Sequence, residues 1–461
     1  MQYIININII MLILIEIYVN IEIRNFRDDK MNIKGKRILI LGGTSATLDL
    51  VKNAKEMGVY TIVTDFLPSG VSKEIADEVA SVSTTDLEGL KALIKERNVD
   101  GVFCGPSEFN IRNLLKLCEE TGLPCYTNTE IWDHCANKDI FKQYCIKYGV
   151  DCPREYEVNE NSSDEELSDV DFPVIVKPVD GHSSNGISVC FNPTELKKAC
   201  EYARTCSARK KIIVEKYIDN GGEIFGARYI IDNGEAFPYL LIDTYVADPV
   251  NRKSLISHYT HAPSKYADYY MNNMDSAVRK MIKGMGIKNG TAFFQALPYN
   301  NKIYFHEMGY RLSGGMLFKF TVPLMGINDM KMMLRFALGG EMCTEEEKAK
   351  FDINCGNKIG AQLNIPLSVG TIASIEGLEE LKGLELVQDF IQYYKVGDEI
   401  KESVIGTLGQ HFGRFTIIAN TEKEVEDIVK KINSTLFIKD KDGKILNNLI
   451  FDYNRSQNKQ F

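Results

Sequence analysis

Between Lys34 and about residue 130, short apolar runs alternate with helical faces, and this alternation constrains the fold more than any other feature. Ile38-Leu39-Ile40-Leu41 is apolar on both pleat faces, as a strand covered on both sides must be. Gly42-Gly43-Thr44 turns the chain. Leu50, Ala54 and Met57 then recur at i, i+4 and i+7, one face of a helix that Gly58 stops. Val59 to Thr64 is β-rich and ends at Asp65, Leu87, Leu90 and Ile94 mark another helix, and Val99 to Phe103 another strand. Strands alternating with helices predict a parallel sheet with helices on both faces, so residues 31–130 read as an open, Rossmann-like α/β domain. The first strand-to-helix turn lacks the G-x-G-x-x-G spacing that seats a dinucleotide pyrophosphate. No G-x-x-x-x-G-K-[ST] occurs anywhere.

The rest of the chain changes character. Its 461 residues suggest about three domains. Residues 131–340 read as mixed α+β, with a helix over 133–148 carrying Phe141, Cys145 and Tyr148 and capped by Gly149. The acidic stretch Glu157 to Asp171 reads as a solvated loop. Residues 341–461 read as a small α/β closing domain, with Val425, Ile428, Val429 and Ile432 at helical spacing. Residues 1–30 stand apart: an isoleucine-rich run interrupted by Asn6, Asn8, Glu16, Asn20 and Glu22, with no basic flank before it and no small-residue cleavage site after it. Three readings are open for it: an extension ahead of a true start at Met31, a membrane anchor, or an added strand. Glu16 near a bilayer centre would cost about 2.5–3.5 kcal/mol, which weighs against the anchor.

Hydrophobic residues make up 44% and charged residues 25%, which excludes a disordered chain. A net charge of −9 gives no bulk attraction to nucleic acid or to an anionic membrane, but leaves room for a local basic pocket. Eleven cysteines lie between Cys104 and Cys355 without a C-x-x-C or a zinc-ligand cluster. They read as reduced, packed thiols of a cytoplasmic protein.

Three stretches carry chemistry. Phe172-Pro173-Val174-Ile175-Val176-Lys177-Pro178 ends an apolar strand on a lysine, which is costly to bury without an anionic partner. The loop His182-Ser183-Ser184-Asn185-Gly186 follows, of the kind that bares backbone N–H groups to phosphate; a surface hairpin is the alternative. Ile212-Ile213-Val214-Glu215-Lys216-Tyr217-Ile218, with Glu223 beyond it, could present backbone and carboxylate groups to an adenine and a ribose, or form an edge strand with a surface ion pair. Finally, Gly290 to Gln295 and Lys302 to Gly309 read as two strands joined at Tyr299-Asn300-Asn301, with Gln295 and Glu307 facing each other and Arg311 just past the end. Two oxygen side chains there suit magnesium, which takes few protein ligands besides a substrate's phosphates, and an arginine can grip a phosphate or carboxylate. The alternative is a core hairpin with a structural Glu–Arg pair.

Taken in this order, the residues from about Trp132 to Gly315 resemble the ATP-grasp superfamily. Ile375 to Leu381 and Val396-Gly397-Asp398 add a weaker likeness to the tail of its L-amino-acid ligase and biotin-carboxylase-like branches. The stretch is also similar to the large chain of carbamoyl phosphate synthetases, although the pattern occurs once only. The resemblance implies a Rossmann-like preATP domain, an ATP-grasp core of two subdomains and a small C-terminal α/β domain. It implies ATP contacts from Lys138 and Lys177, a phosphate-covering loop at Ser183, Ser184, Asn185 and Gly186, an adenine hinge at Glu215, Lys216 and Ile218, and a ribose contact at Glu223. Gln295 and Glu307 match the magnesium (or manganese) positions, and Arg311 the arginine that stabilises an acylphosphate.

Two positions depart from the pattern: Gln295 replaces a carboxylate, and Gly309 an asparagine. The implied reaction is ADP-forming, with a small-molecule carboxylate activated as an acylphosphate and joined to an amine such as an amino acid. Lys177, Glu307 and Arg311 are the catalytic candidates. A bicarbonate-activating, carboxylase-like enzyme and a non-catalytic ATP-binding module are the alternatives; a homodimer is left open. His258 and His261, with Arg252, Lys253 and Lys265 nearby, could approach an acceptor or be solvated loop residues. His182 could touch phosphate. Strict alternation along the strand would turn His306 away from Glu307.

Overall fold

The computed structural model describes residues 33–181, 186–248, 254–448 and 450–457. The expectations for residues 1–30, and those for His182, Ser183, Ser184, Asn185, Arg252 and Lys253, lie outside the described residues. The chain divides into two compact units. One comprises the described residues up to Thr129 together with Asp329–Thr344; the other comprises Glu130–Asn328 and Glu345–Phe461.

In the first unit, β1 (Arg37–Leu41), β2 (Tyr60–Thr64), β3 (Glu78–Ala80) and β4 (Gly101–Phe103) form a parallel sheet in the order β3-β2-β1-β4. Leu50 and Ala54 of the helix Ser45–Glu56 are fully buried, and Gly58 follows in the left-handed region at φ 74°. Asp86 caps the helix Leu87–Arg97 by accepting from the Gly89 N–H. The turn at Gly42-Gly43 is closed from within. Gly43 N–H donates to Asp65 Oδ2 at 3.1 Å, and the buried Lys73 stem lies 2.9 Å from where a Cβ at Gly43 would stand.

The second unit begins with a correction. The helix expected over 133–148 is two helices, Thr129–Ala136 and Lys138–Tyr148, broken at Asn137, whose extended backbone serves as N-cap. The break puts Lys138 at a helix start. Phe141 and Cys145 are buried, and Gly149 ends the helix at φ 70°. The acidic stretch is not wholly loop: Ser163 and Glu166 form a capping box for a short helix, Asp164–Ser168, whose Leu167 is buried.

Two sheets follow. β5 (Val174–Pro178), β6 (Ser188–Cys190) and β7 (Ile212–Lys216) form an antiparallel sheet in the order β6-β5-β7. Val174, Val176 and Val214 pack there with Leu196, Ala199 and Ala203 of the helix Pro193–Cys206. The larger sheet draws on β8 (Glu223–Asp232), β9 (Glu235–Asp248), β10 (Ser254–Ala262), β11 (Gly290–Tyr299), β12 (Lys302–Gly309) and β13 (Ile359–Pro366). Beyond these come β14 (Gly370–Thr371), β15 (Ser374–Glu376), β16 (Val387–Gln392), β17 (Glu399–Ile400), β18 (His411–Ala419) and β19 (Phe437–Lys439). Eight strands run β12-β11-β8-β9-β10-β13-β18-β16, while β14 pairs with β17 and β15 with β19. Strands on both sides of residue 345 therefore share one sheet. Val425, Val429 and Ile432 of the capped helix Glu422–Thr435 bury against it, beside Ala361, Leu363, Phe412 and Phe415. All eleven cysteines are free, eight of them buried. Among the described residues no helix is long and apolar enough to cross a membrane.

Candidate functional site

The site is built in the second unit from β5, β7, β11, β12 and the helix Lys138–Tyr148. β5 and β7 place Ile175 opposite Glu215, and Lys177 opposite Ile213. Lys177 and Glu215 are 5% and 3% exposed, and Lys177 Nζ lies 2.5 Å from Glu215 Oε2. Lys142, one helical turn beyond Lys138 and 5% exposed, donates to the other oxygen, Glu215 Oε1, at 2.7 Å. Burial alone would push the Glu215 carboxyl up; the Lys177 and Lys142 ammonium groups outweigh it and hold the carboxyl below the ordinary range. Glu215 thus anchors two buried lysines. Lys142 escaped the sequence reading, although its spacing of four from Lys138 puts the two on one helical face.

Lys138 is tied to the base of the glycine-rich loop: its N–H donates to Val179 O at 3.0 Å and its Nζ to Gly181 O at 2.7 Å. The loop's stems are fixed. Asp180 accepts from Ser207 Oγ at 2.6 Å and from Arg209 N–H at 2.9 Å. Gly186 has φ 78°, and a Cβ there would stand 2.7 Å from Pro178 Cγ and Cys206 Cβ. Ile218 is buried just past β7. Lys216 is not brought to the others. Its Nζ donates to the carbonyl of Asp171 at 3.0 Å and lies 2.9 Å from that residue's carboxylate. Glu223 opens β8, where Tyr245 OH donates to Oε1 at 3.0 Å and Lys265 Nζ lies 2.9 Å from the same atom.

The hairpin β11–β12 turns at Asn300 and Asn301, with φ 48° and 59°, and sets Gln295 directly opposite Glu307. Gly226 of β8 is opposite Gln295 on the other side. The next row along is Arg228–Phe293–Gly309. Positions two apart on a strand share a face, so Arg228, Phe293, Gln295 and Glu307 project together while Gly226 and Gly309 leave that face bare. Gly309 is glycine for a visible reason: a Cβ there would come within 2.2 Å of the Phe293 ring. The Arg311 guanidinium lies 5.1 Å from the centroid of the same ring.

The expectation for His306 is corrected. The register steps from Gln295↔Glu307 to Ala296↔Phe305, so His306 is the extra residue of a bulge and strict alternation fails there. Its ring is held neutral, near pKa 4, by burial and by Lys177, against the opposing pull of Glu307 and Glu215. Burial pushes the Glu307 carboxyl up, and Lys138, His306, Lys177 and Arg311 together bring it below the ordinary range. One carboxylate therefore feels the helix lysine, the strand lysine and the arginine past the hairpin.

His258 and His261 belong to β10 rather than to a loop. His258 is buried 5.5 Å from the Phe451 ring, and His261 Nε2 lies 3.1 Å from Glu422 Oε1. The donor chemistry of the β11–β12 pair fits a hard cation: one carboxylate and one amide, both with oxygen donors, leaving further positions to phosphate or water.

Residues 137–344 match the family model for the carbamoyl-phosphate synthase L chain, ATP binding domain. The chain is 24% identical over 316 residues to formate-dependent phosphoribosylglycinamide formyltransferase of Sulfurisphaera tokodaii, a match spanning 66% of this chain and 76% of that one. Its fold is similar to that of L-amino acid ligase from Bacillus licheniformis, with a TM-score of 0.72 at 19% identity over 88% of this chain and 99% of that one. It is also similar to that of a biotin carboxylase–β,γ-ATP complex from Campylobacter jejuni, with a TM-score of 0.70 at 18% identity over 94% and 97%.

Proposed function

We propose that the chain is an ATP-dependent, ADP-forming ligase that activates a small carboxylate as an acylphosphate and joins it to an amine. The observation that carries this reading is the pairing of Gln295 with Glu307 across the β11–β12 hairpin, in a site where Lys177 is held on Glu215 and where Lys138, Lys177 and Arg311 draw the Glu307 carboxyl down. A substrate carboxylate oxygen forms a bond to the γ-phosphorus while the bond from that phosphorus to the bridging oxygen breaks and ADP leaves. The amine then adds at the acyl carbon, and inorganic phosphate departs. Such transfer asks for positioning and charge neutralisation more than for a protein nucleophile. Lys138 and Lys177 would neutralise phosphate oxygens, Ile218 and the Glu215 strand would border the base, and Glu223, held by Lys265 and Tyr245, would accept from ribose. Gln295 and Glu307 would hold magnesium, which supplies Lewis-acid charge on the phosphates when bound. Arg311 would steady the acylphosphate.

The curated relative is named for formate, itself a carboxylate, and for phosphoribosylglycinamide rather than an amino acid; the structural relatives include an L-amino acid ligase. The carboxylate–amine class fits both names. Eleven free thiols fit a reducing compartment such as the cytoplasm. The test is ADP release by the full chain with MgATP and pools of amino acids, formate, bicarbonate and other small carboxylates. Pool-dependent ADP, lost in Lys177→Ala and Glu307→Ala, is the expected result. A protein that binds ATP but never releases ADP, and gains turnover only as Gln295→Glu, is a binding module instead, the reading that Gln295 favours. Failure to bind ATP overturns both.

A further inference from the structure

On the hairpin face the donors for a divalent cation are few. Glu307 gives a carboxylate and Gln295 only an amide, and the Phe293 ring fills the space where a side chain from position 309 would reach in. Among the described residues no group of three or more His, Cys, Asp or Glu is placed to hold a metal. The same face carries a cation of its own. Arg228 is 7% exposed, and its Nη1 lies 3.1 Å from where a Cβ at Gly226 would stand. Gly226 is directly opposite Gln295, so the absence of a side chain there leaves room for the guanidinium to fold back along β8 toward the row that holds Gln295. Nη1 is braced on the carbonyls of Ala227 and Phe294, both at 3.3 Å. The guanidinium lies 5.0 Å from the Phe293 centroid and that of Arg311 5.1 Å from the same centroid, a ring whose π-electrons favour both cations.

We propose that Arg228 stands in for a second divalent cation, so that the site holds one such ion per nucleotide, between Gln295 and Glu307. This rests on the nucleotide-binding reading above. A fixed guanidinium in a poorly solvated site repels a dication placed beside it. A carboxylate at 295 would be captured by that guanidinium as an ion pair; an amide is not, and keeps its oxygen for the one ion. Arg228 and Arg311 then supply to the transferring phosphoryl group the positive charge that a second ion would bring.

The test counts manganese. The full chain is saturated with ADP, and bound Mn2+ is measured from the free-ion EPR signal. One Mn2+ per ADP is expected for the unaltered protein and for Gln295→Glu, where the new carboxylate pairs with Arg228. Two are expected for the double variant Arg228→Met/Gln295→Glu. Two ions per ADP in the unaltered protein or in Gln295→Glu overturn the proposal and leave the nucleotide reading intact. So does a folded double variant that still binds one. No ADP binding at all overturns both. The count on the unaltered protein stands even if the double variant does not fold.

Discussion

Glu215 is one carboxylate with two buried lysines on it, and such an arrangement is asymmetric in what its loss costs. Glu215→Gln removes the carboxylate that both buried lysines share and leaves Lys142 only the longer contact to Glu155 at 3.7 Å, so a loss of roughly 3–5 kcal/mol in urea unfolding is expected. Gly309→Asn, which puts the resembling family's residue back, drives a side chain into the Phe293 ring and should cost about 1–3 kcal/mol. The same substitution made with Phe293→Ala should cost less than the two singles added, which a double-mutant cycle on urea midpoints reads directly. At this scale the sequence announces residues that break an apolar strand: Lys177 and Glu307 stand out because a charge ends a run that is otherwise buried. Lys142 and Arg228 do not, since a lysine on a helix and an arginine in mid-strand read as solvated faces. Their burial is imposed by β7, β9 and β11, which arrive from elsewhere in the chain.

Among the elements, the hairpin that pairs Gln295 with Glu307 depends on its two-residue turn. Both Asn300 and Asn301 have positive φ, the geometry in which Asn-Gly is favoured. Asn301→Gly is accordingly expected to be neutral or to stabilise by up to ~1 kcal/mol in thermal unfolding, and Asn301→Val to destabilise. Alternation of strand and helix in the first hundred described residues was legible because period and turn chemistry agree there. The helix break at Asn137 was not, because its cause is tertiary: Lys138 N–H leaves the helical ladder for the carbonyl of Val179. The bulge at His306 was equally hidden, since nothing in a single strand's sequence tells which partner residue will be skipped.

For the whole molecule, the clearest solution signature is acid sensitivity. His258 and His411 are each 2% exposed; burial holds the first at about 3 and the second at about 4. An unfolded chain protonates both near 6.5, so it binds more protons than the folded one between about pH 6.5 and 4, and stability must fall as pH drops through that window. The expected loss is roughly 2 kcal/mol per histidine between pH 7 and pH 5, read from urea titrations at the two values; equal stability at both contradicts it. Glu215 works in a different window: its depressed carboxyl keeps its contribution until the pH falls below the ordinary carboxylate range.

The pairing of β10 with β13, and of β13 with β18, has an evolutionary consequence. The tail cannot be inherited as a detachable cassette, because its backbone is stitched into the sheet that carries Glu307. A recombined tail would have to arrive with the parity of Tyr259↔Leu363, since a slip of one residue turns every inward side chain outward. Lineages of such a chain are thus expected to diversify by point substitution on the sheet's face rather than by shuffling its end.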